Sequence, residues 1–449
     1  MKSVWIILLV VFFSTGVFSQ QVFHSIQITS SPNPVGSGAR AQGMGGAFIA
    51  VADDATAASW NPGGLMQLET PEISIVGSFI NRGKEFDSSS HPEIEATHGI
   101  TRFDINYLSC AYPFRAFNKN MIVSLNYQRL YEFYDNIKFH YNYTGTLSDG
   151  SPYFVKSYTK FYQEGALKAF APAFAIQVTP RFSVGITFNV WTDNLGYHNR
   201  WESIRVTDYV AHVKVPGRQI KTFFGKEVFK EENSNFEGFN INVGFLWQIT
   251  QKITIGGVFK TPFTADFHRQ TYAYQIAYPL HKKPPRIKPF VSSEHVELHF
   301  PMSYGVGIAY RFSDAFTVAF DIYRTRWSRF WMREQDGRRI CPITGKLARH
   351  SHIHDTTQIR IGCEYLFILE RTLIPLRFGI FYDPEPSEKN PEDFYGVSLG
   401  TGIMIGDAVL DIAYIYRFGR DVKEEVVGAS KIEADIDQHM LLFSMIYHF

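Results

Sequence analysis

The sequence has little with which to cross-link itself and nothing with which to cross a membrane as a helix. Its 449 residues include only three cysteines, Cys110, Cys341 and Cys363. That is too few for a disulfide framework, and the odd number leaves at least one thiol unpaired within the chain. After the first residues no apolar run approaches the roughly twenty that a spanning helix requires, which excludes a helical membrane protein. An excess of basic charge is also missing. The net charge is +1 and the isoelectric point about 7.8, and with no basic run a nucleic-acid partner is not expected. Nucleotide and catalytic signatures are absent too. Gly43-Met44-Gly45-Gly46 lacks the spacing and preceding strand of a dinucleotide fingerprint, and Gly345-Lys346 lacks the upstream glycine of a phosphate loop. No Ser/His/Asp set stands in a recognisable order, so neither an enzyme nor a cofactor is expected.

Aromatic residues, by contrast, are abundant, at 16% with 40 Phe and 24 Tyr, beside a mean hydropathy of only −0.12. Apolar side chains must then be spread thinly and regularly. Lys2, the apolar run Val4 to Phe13 and Val17-Phe18-Ser19 read as a secretory signal over residues 1–19, with the mature chain beginning near Gln20. From Glu72 onward the dominant period is two, the strand period. Phe182, Val184, Ile186, Phe188 and Val190 alternate with small or polar residues, as do Met302, Tyr304, Val306, Ile308 and Tyr310. Such runs fall at 72–80, 101–112, 119–133, 169–179, 181–192, 236–249, 251–262, 300–311, 313–325, 356–368, 373–383, 394–405, 407–419 and 437–449. About fourteen strands, joined alternately by tight turns and long loops, predict an all-β transmembrane antiparallel barrel of the bacterial outer membrane over residues 72–449. Its short turns would be periplasmic and its long loops extracellular. A soluble β-sandwich would alternate as well, but gives no reason for the alternation in loop length. Leu441, Phe443, Met445, Tyr447 and the terminal Phe449 share one face. They resemble the terminal-strand signal that outer-membrane proteins present to their insertion machinery.

The stretch from Gly36 to Leu68 is different, rich in Gly and Ala and ending in Trp60-Asn61-Pro62-Gly63-Gly64-Leu65. Small residues let backbone approach other surfaces closely. We read residues 20–71 as a plug folded inside the barrel, which also argues against a water-filled general porin.

Three segments resemble the FadL/TodX family of outer-membrane transporters for long-chain fatty acids and other hydrophobic compounds. They are Gly38 to Leu65, whose Asn61-Pro62-Gly63 stands where the family has Asn-Pro-Ala, then Phe300 to Ser328, then Leu376 to Arg417. The resemblance implies a fourteen-stranded barrel and an N-terminal hatch. It further implies diffusive, cofactor-free uptake of a hydrophobic small molecule, with sideways release into the outer-membrane lipid. Outer-membrane shuttle proteins of secretion systems carry a similar N-terminal pattern, so a shuttle or scaffold for exported proteins is the alternative. A monomer is expected. Asn61, Pro62, Gly63, Gly64 and Leu65 are read as a hatch element beside the ligand channel, against a plain turn into the first strand.

If the large apolar face points to lipid, Arg360, Glu364, Arg377, Asp411 and Arg417 point into the lumen. Arg360, Arg377 and Arg417 are then candidates for holding a fatty-acid carboxylate through charge-assisted hydrogen bonds. The competing reading, which we favour, is an internal ion-pair network bracing barrel and plug. Cys341 with His350, His352 and His354 has metal-ligand chemistry but reads better as a polar external loop, and no metal is expected. His281-Lys282-Lys283-Pro284-Pro285 reads as exposed loop.

Overall fold

In the computed structural model the described residues are 36–87, 92–94, 96–147, 149–214, 220–370, 372–426 and 429–449. The signal sequence and its cleavage site lie outside them. Within them the chain forms one antiparallel sheet of 21 strands. These are β1 (Glu72–Asp87), β2 (Ala96–Ala116), β3 (Lys119–Glu132), β4 (Asp135–Thr146), β5 (Pro152–Phe170), β6 (Ala173–Thr179) and β7 (Phe182–Trp191). They continue as β8 (Arg200–Lys214), β9 (Ile220–Gln248), β10 (Ile253–Lys260), β11 (Phe263–Pro279), β12 (Phe290–Phe300), β13 (Ser303–Ser313) and β14 (Phe316–Thr325). The last are β15 (Trp331–Arg333), β16 (Arg339–Ile340), β17 (Thr356–Ile368), β18 (Leu373–Tyr382), β19 (Phe394–Ile405), β20 (Ala408–Val426) and β21 (Ala429–His448). Pairing of β1 with β21, from Glu72 opposite His448 to Asp87 opposite Glu433, closes the sheet on itself. Closure removes the free edges that a bilayer could not satisfy.

Each expected run lies on a strand, but the count of fourteen is corrected. The ring takes in sixteen strands, with β4, β11, β12, β15 and β16 outside it. The difference comes from β5 and β8. Next to the tight turns, β6 and β7 fill the space between β3 and β9. They are short, 7 and 10 residues, and beyond Phe170 opposite Val190 the space passes to β5 and β8.

Several strands are interrupted partway. The breaks at Ala171-Pro172, Thr261-Pro262 and Pro301-Met302 contain proline, which has no N–H to give to a ladder. They separate a turn-side half of the barrel from a mouth-side half. In the turn-side half the large apolar residues face outward, as Val243, Trp247, Tyr304, Ile308, Phe378 and Phe443 do. In the mouth-side half the pattern inverts. Phe263, Phe267, Val296, Leu298 and Phe300 are buried and pack with Phe133, Trp191, Trp201, Phe236, Trp327 and Phe330 into an aromatic core. The rule that the large face meets lipid therefore holds only below the breaks.

Candidate functional site in the lumen

Residues 36–68 are held by groups from strands all round the ring. The Ser444 hydroxyl accepts from the Ala39 N–H at 2.6 Å, and Ser398 Oγ accepts from the Gly45 N–H at 2.8 Å. The buried Asp321 carboxylate accepts from the N–H groups of Phe48 (2.7 Å) and Ile49 (2.9 Å). Tyr107 donates to the Ala55 carbonyl at 2.9 Å, and Thr187 donates to the Ala58 carbonyl at 2.8 Å. Short helices at Ala39–Gly43 and Ala57–Trp60 supply few internal bonds, so the wall satisfies much of this backbone.

Asn61 is fully buried and works in three directions. Its Oδ1 accepts from the Gly63 N–H, and its Nδ2 donates to the carbonyls of Ile49 and, in β9, Phe245, both at 2.8 Å. Pro62 to Leu65 are buried too, and Ser183 of β7 donates to the Gly63 carbonyl at 2.7 Å. This turn sits so close to the wall that glycine is required there. A Cβ on Gly185 would stand 2.2 Å from the Pro62 oxygen, and one on Gly244 would stand 2.1 Å from Asn61 Oδ1. The five residues Asn61, Pro62, Gly63, Gly64 and Leu65 are thus brought together against β7 and β9. None of them lines the cavity described below.

The three candidate arginines are inward and buried, and each faces protein acceptors. Arg360 donates to the Gly45 carbonyl at 2.8 Å and lies 3.5 Å from Asp383. Arg377 meets Glu364 and Asp411, both at 2.6 Å. Arg417 meets Asp383 at 3.2 Å and Glu385 at 2.9 Å. Glu364 also binds Arg40 (2.8 Å), which in turn binds Asp53 at 2.6 Å. A chain of alternating charge therefore runs from the N-terminal segment into β17, β18 and β20. Among the described residues no group of three or more metal-ligating side chains is close enough to hold an ion; Cys341 is buried in the aromatic core instead.

Sequence reasoning missed the cavity. It lies at the breaks in β10–β11 and β12–β13, has a volume of about 50 Å³, and is walled by Tyr131, Trp191, Phe263, Phe300 and Trp327. Trp191, Phe263 and Phe300 form a stack, with centroids 5.5 and 5.0 Å apart and planes within 11° and 6°. Its polar side carries Asn189, Asn240, Asn242, Lys260, Ser303 and Tyr323. Trp191 donates to Asn240 at 2.9 Å, which fixes the indole plane. Flat rings facing a few polar groups are the chemistry by which a site takes and orients an apolar body; at about 50 Å³ the space is smaller than such a ligand, so entry requires the rings to part. The alternation of Phe263, Ala265 and Phe267 with Thr264 and Asp266 was the available signal.

The wall is discontinuous between β2 and β3. A bulge separates Tyr107 from Ile105 of β2, and pairing with β3 ends at Tyr107 opposite Gln128. Between Ala96 and Ile105, β2 pairs with β1 alone among the described residues. Bulges bend a strand and end pairing in this way. Side chains bridge the interval. Arg129 of β3 meets Asp104 of β2 at 2.7 Å and is steadied by Glu132 of its own strand at 3.0 Å, while Arg102 of β2 meets Glu164 of β5 at 3.1 Å and covers the Tyr134 ring at 4.1 Å.

Comparison with known proteins agrees with this architecture. The family model described as outer membrane protein transport protein (OMPP1/FadL/TodX) matches residues 33–449. Among solved structures, a Pseudomonas aeruginosa FadL homologue is 12% identical, with 92% of this chain and 98% of that one covered and a TM-score of 0.61. The Pseudomonas putida toluene transporter TodX is 14% identical, with 92% and 98% covered and a TM-score of 0.54. The Ralstonia pickettii toluene transporter TbuX is 14% identical, with 93% and 99% covered and a TM-score of 0.52. At these identities the likeness shows the fold. No curated protein matches the sequence. The family is one of transport proteins rather than enzymes, and the shuttle alternative finds no support in it. A family match from residue 33 to the last residue, on a closed multi-strand barrel, makes this chain a member of the OMPP1/FadL/TodX family and a multi-pass protein of the outer membrane.

Proposed function

We propose that the protein is a channel for diffusive uptake of long-chain fatty acids or similar hydrophobic molecules. Aromatic hydrocarbons of the kind named for TodX and TbuX belong to the same class. The observation that carries this reading is an aromatic cavity above a lumen filled by residues 36–68. A pore built for water-soluble solutes would need the opposite. Residues 20–71, of which 20–35 lie outside the described residues, act as the hatch, with the Asn61 to Leu65 turn holding it to β7 and β9. Arg360, Arg377 and Arg417 brace hatch and wall. Substrate leaves through the β2–β3 interval into membrane lipid. The protein works as a monomer, and its outward C-terminal face, ending at Phe449, is what the insertion machinery reads.

The test is uptake of a labelled long-chain fatty acid and of an alkylbenzene by cells with and without the chain, other transporters having been removed. A severalfold loss of either on deletion is expected; normal uptake of both would sink the reading. Phe263→Ala should lower binding of either compound to the purified barrel, followed by tryptophan fluorescence, by about tenfold or more, because it removes the middle ring of the stack. Unchanged affinity would place the ligand elsewhere.

The sideways exit has its own test. Cysteines at Asp104 and Arg129, in a chain with Cys110 and Cys363 replaced by serine, can be bridged by a short bis-maleimide. Bridging should stop uptake, whereas Asp104→Asn with Arg102→Gln, which unties both ion pairs, should raise it. Full uptake through the bridged protein would rule out this route.

A further inference from the structure

Above the membrane, the outward face of the β4–β5 hairpin carries a concentration of positive charge that the channel reading does not use. Lys138, His140, Lys156 and Lys160 are all exposed there. Lys138 stands directly opposite Lys160, and His140 directly opposite Tyr158. Like charges directly across a ladder oppose pairing, and no ion pair within the chain offsets these three lysines among the described residues. The nearest outward carboxylate on the adjoining strand, Asp208, lies opposite Tyr158 and is 3.8 Å from Lys226. A chain with a net charge of +1 has no general basicity to explain such a cluster.

Rings are interleaved with the charges. Lys156 Nζ lies 5.7 Å from the Phe154 centroid, and Lys160 Nζ lies 5.4 Å from that of Tyr158. The His140 and Tyr158 rings are 4.7 Å apart. Cations set between flat apolar faces suit a ligand that alternates anionic groups with the C–H faces of sugar rings.

Height decides which ligand is within reach. Lys160 is about twenty residues along β5 and β6 from the tight turn at Pro180. At about 3.3 Å per residue and a tilt near 45°, that is on the order of 45 Å above the turn end. The apolar band of such barrels is about 25 Å tall, so the patch stands roughly 20 Å beyond it, in the saccharide layer of the outer leaflet.

We infer that this face of the hairpin binds the phosphorylated sugar core of lipopolysaccharide. Lys138, Lys156 and Lys160 meet the phosphates, while Phe154 and Tyr158 meet the sugar rings. The ligand would cancel the repulsion across the ladder and hold the hairpin, an edge of the sheet, in a fixed position over the mouth.

The experiment titrates the full-length barrel in detergent with purified lipopolysaccharide. It uses the parent, the triple variant K138Q/K156Q/K160Q, and K138R/K156R/K160R. A lysine close to an anionic surface contributes about fivefold in affinity, so the glutamine variant should bind at least tenfold more weakly and the arginine variant like the parent. Dephosphorylated lipopolysaccharide should bind the parent and the glutamine variant alike. The parent's affinity should fall as salt is raised. Retention of the heat-dependent gel shift of a folded barrel shows that the variants are folded. Three results would overturn the assignment: no binding by the parent, equal binding by parent and glutamine variant, or equal competition by phosphatidylglycerol vesicles. None of these bears on uptake of hydrophobic compounds.

Discussion

Gly185→Val is expected to convert the blocked barrel into a conducting one. Gly185 of β7 is paired with Ala175 of β6 on one side and with Gly244 of β9 on the other. The wall therefore cannot retreat from a new side chain at this position. The first atom of that side chain would stand 2.2 Å from the Pro62 oxygen and 2.8 Å from the Gly63 nitrogen. Valine is a better strand former than glycine, so the barrel itself gains, and the whole cost of overpacking falls on the contact with the 61–65 turn. That cost is typically about 1–3 kcal/mol, comparable with losing one or two of the hydrogen bonds that hold the turn. The turn should leave the wall and the segment loosen. In planar bilayers the parent should be silent or nearly so, and the variant should show steady openings with sensitivity to bulky antibiotics in cells. Ser183→Ala, which only deletes the bond to the Gly63 carbonyl, should give a much weaker phenotype. A folded Gly185→Val barrel as silent as the parent would show that this turn does not hold the blockage in place.

How far such contacts could be foreseen depended on the range of the interaction. Period two is a local property, and it marked β7 and β13 plainly because one face of each meets lipid and the other meets small or polar groups. In β5 that contrast is lost. Phe154, Lys156, Tyr158 and Lys160 alternate with Val155, Ser157 and Thr159, and neither set is uniformly large and apolar, so neither reads as a lipid face. This is why β5 and β8 were missed and the ring was undercounted. The inward arginines were legible from parity alone. Two partners of these inward charges were not, Arg40 for Glu364 and Asp383 for Arg417, since they lie on the N-terminal segment and beyond the end of a strand. Asp321 is the clearest case of what sequence cannot show. A single aspartate in Phe320-Asp321-Ile322 carries no local sign that it will receive the N–H groups of residues 48 and 49.

Arg377→Met separates the two readings of the lumen arginines. Arg377 and its partner Asp411 are 3% and 1% exposed, and Glu364 is 7% exposed. Removing the guanidinium leaves Asp411 a buried carboxylate without its cation, while Glu364 keeps Arg40. Breaking a buried pair from one side costs about 3–5 kcal/mol, whereas replacing both partners by apolar residues of similar size is often neutral. Under the bracing reading, Arg377→Met should therefore unfold at clearly lower denaturant concentration than the parent, and Arg377→Met/Asp411→Leu should recover most of the loss. Affinity for a long-chain fatty acid relative to its alcohol should be the same in every folded variant. If Arg377 instead held the substrate carboxylate, the single and double variants would both lose the preference for the acid, and the second substitution would not restore it. A double variant that regains stability with its acid preference intact assigns Arg377 to the wall, and one that regains stability without that preference assigns it to the substrate.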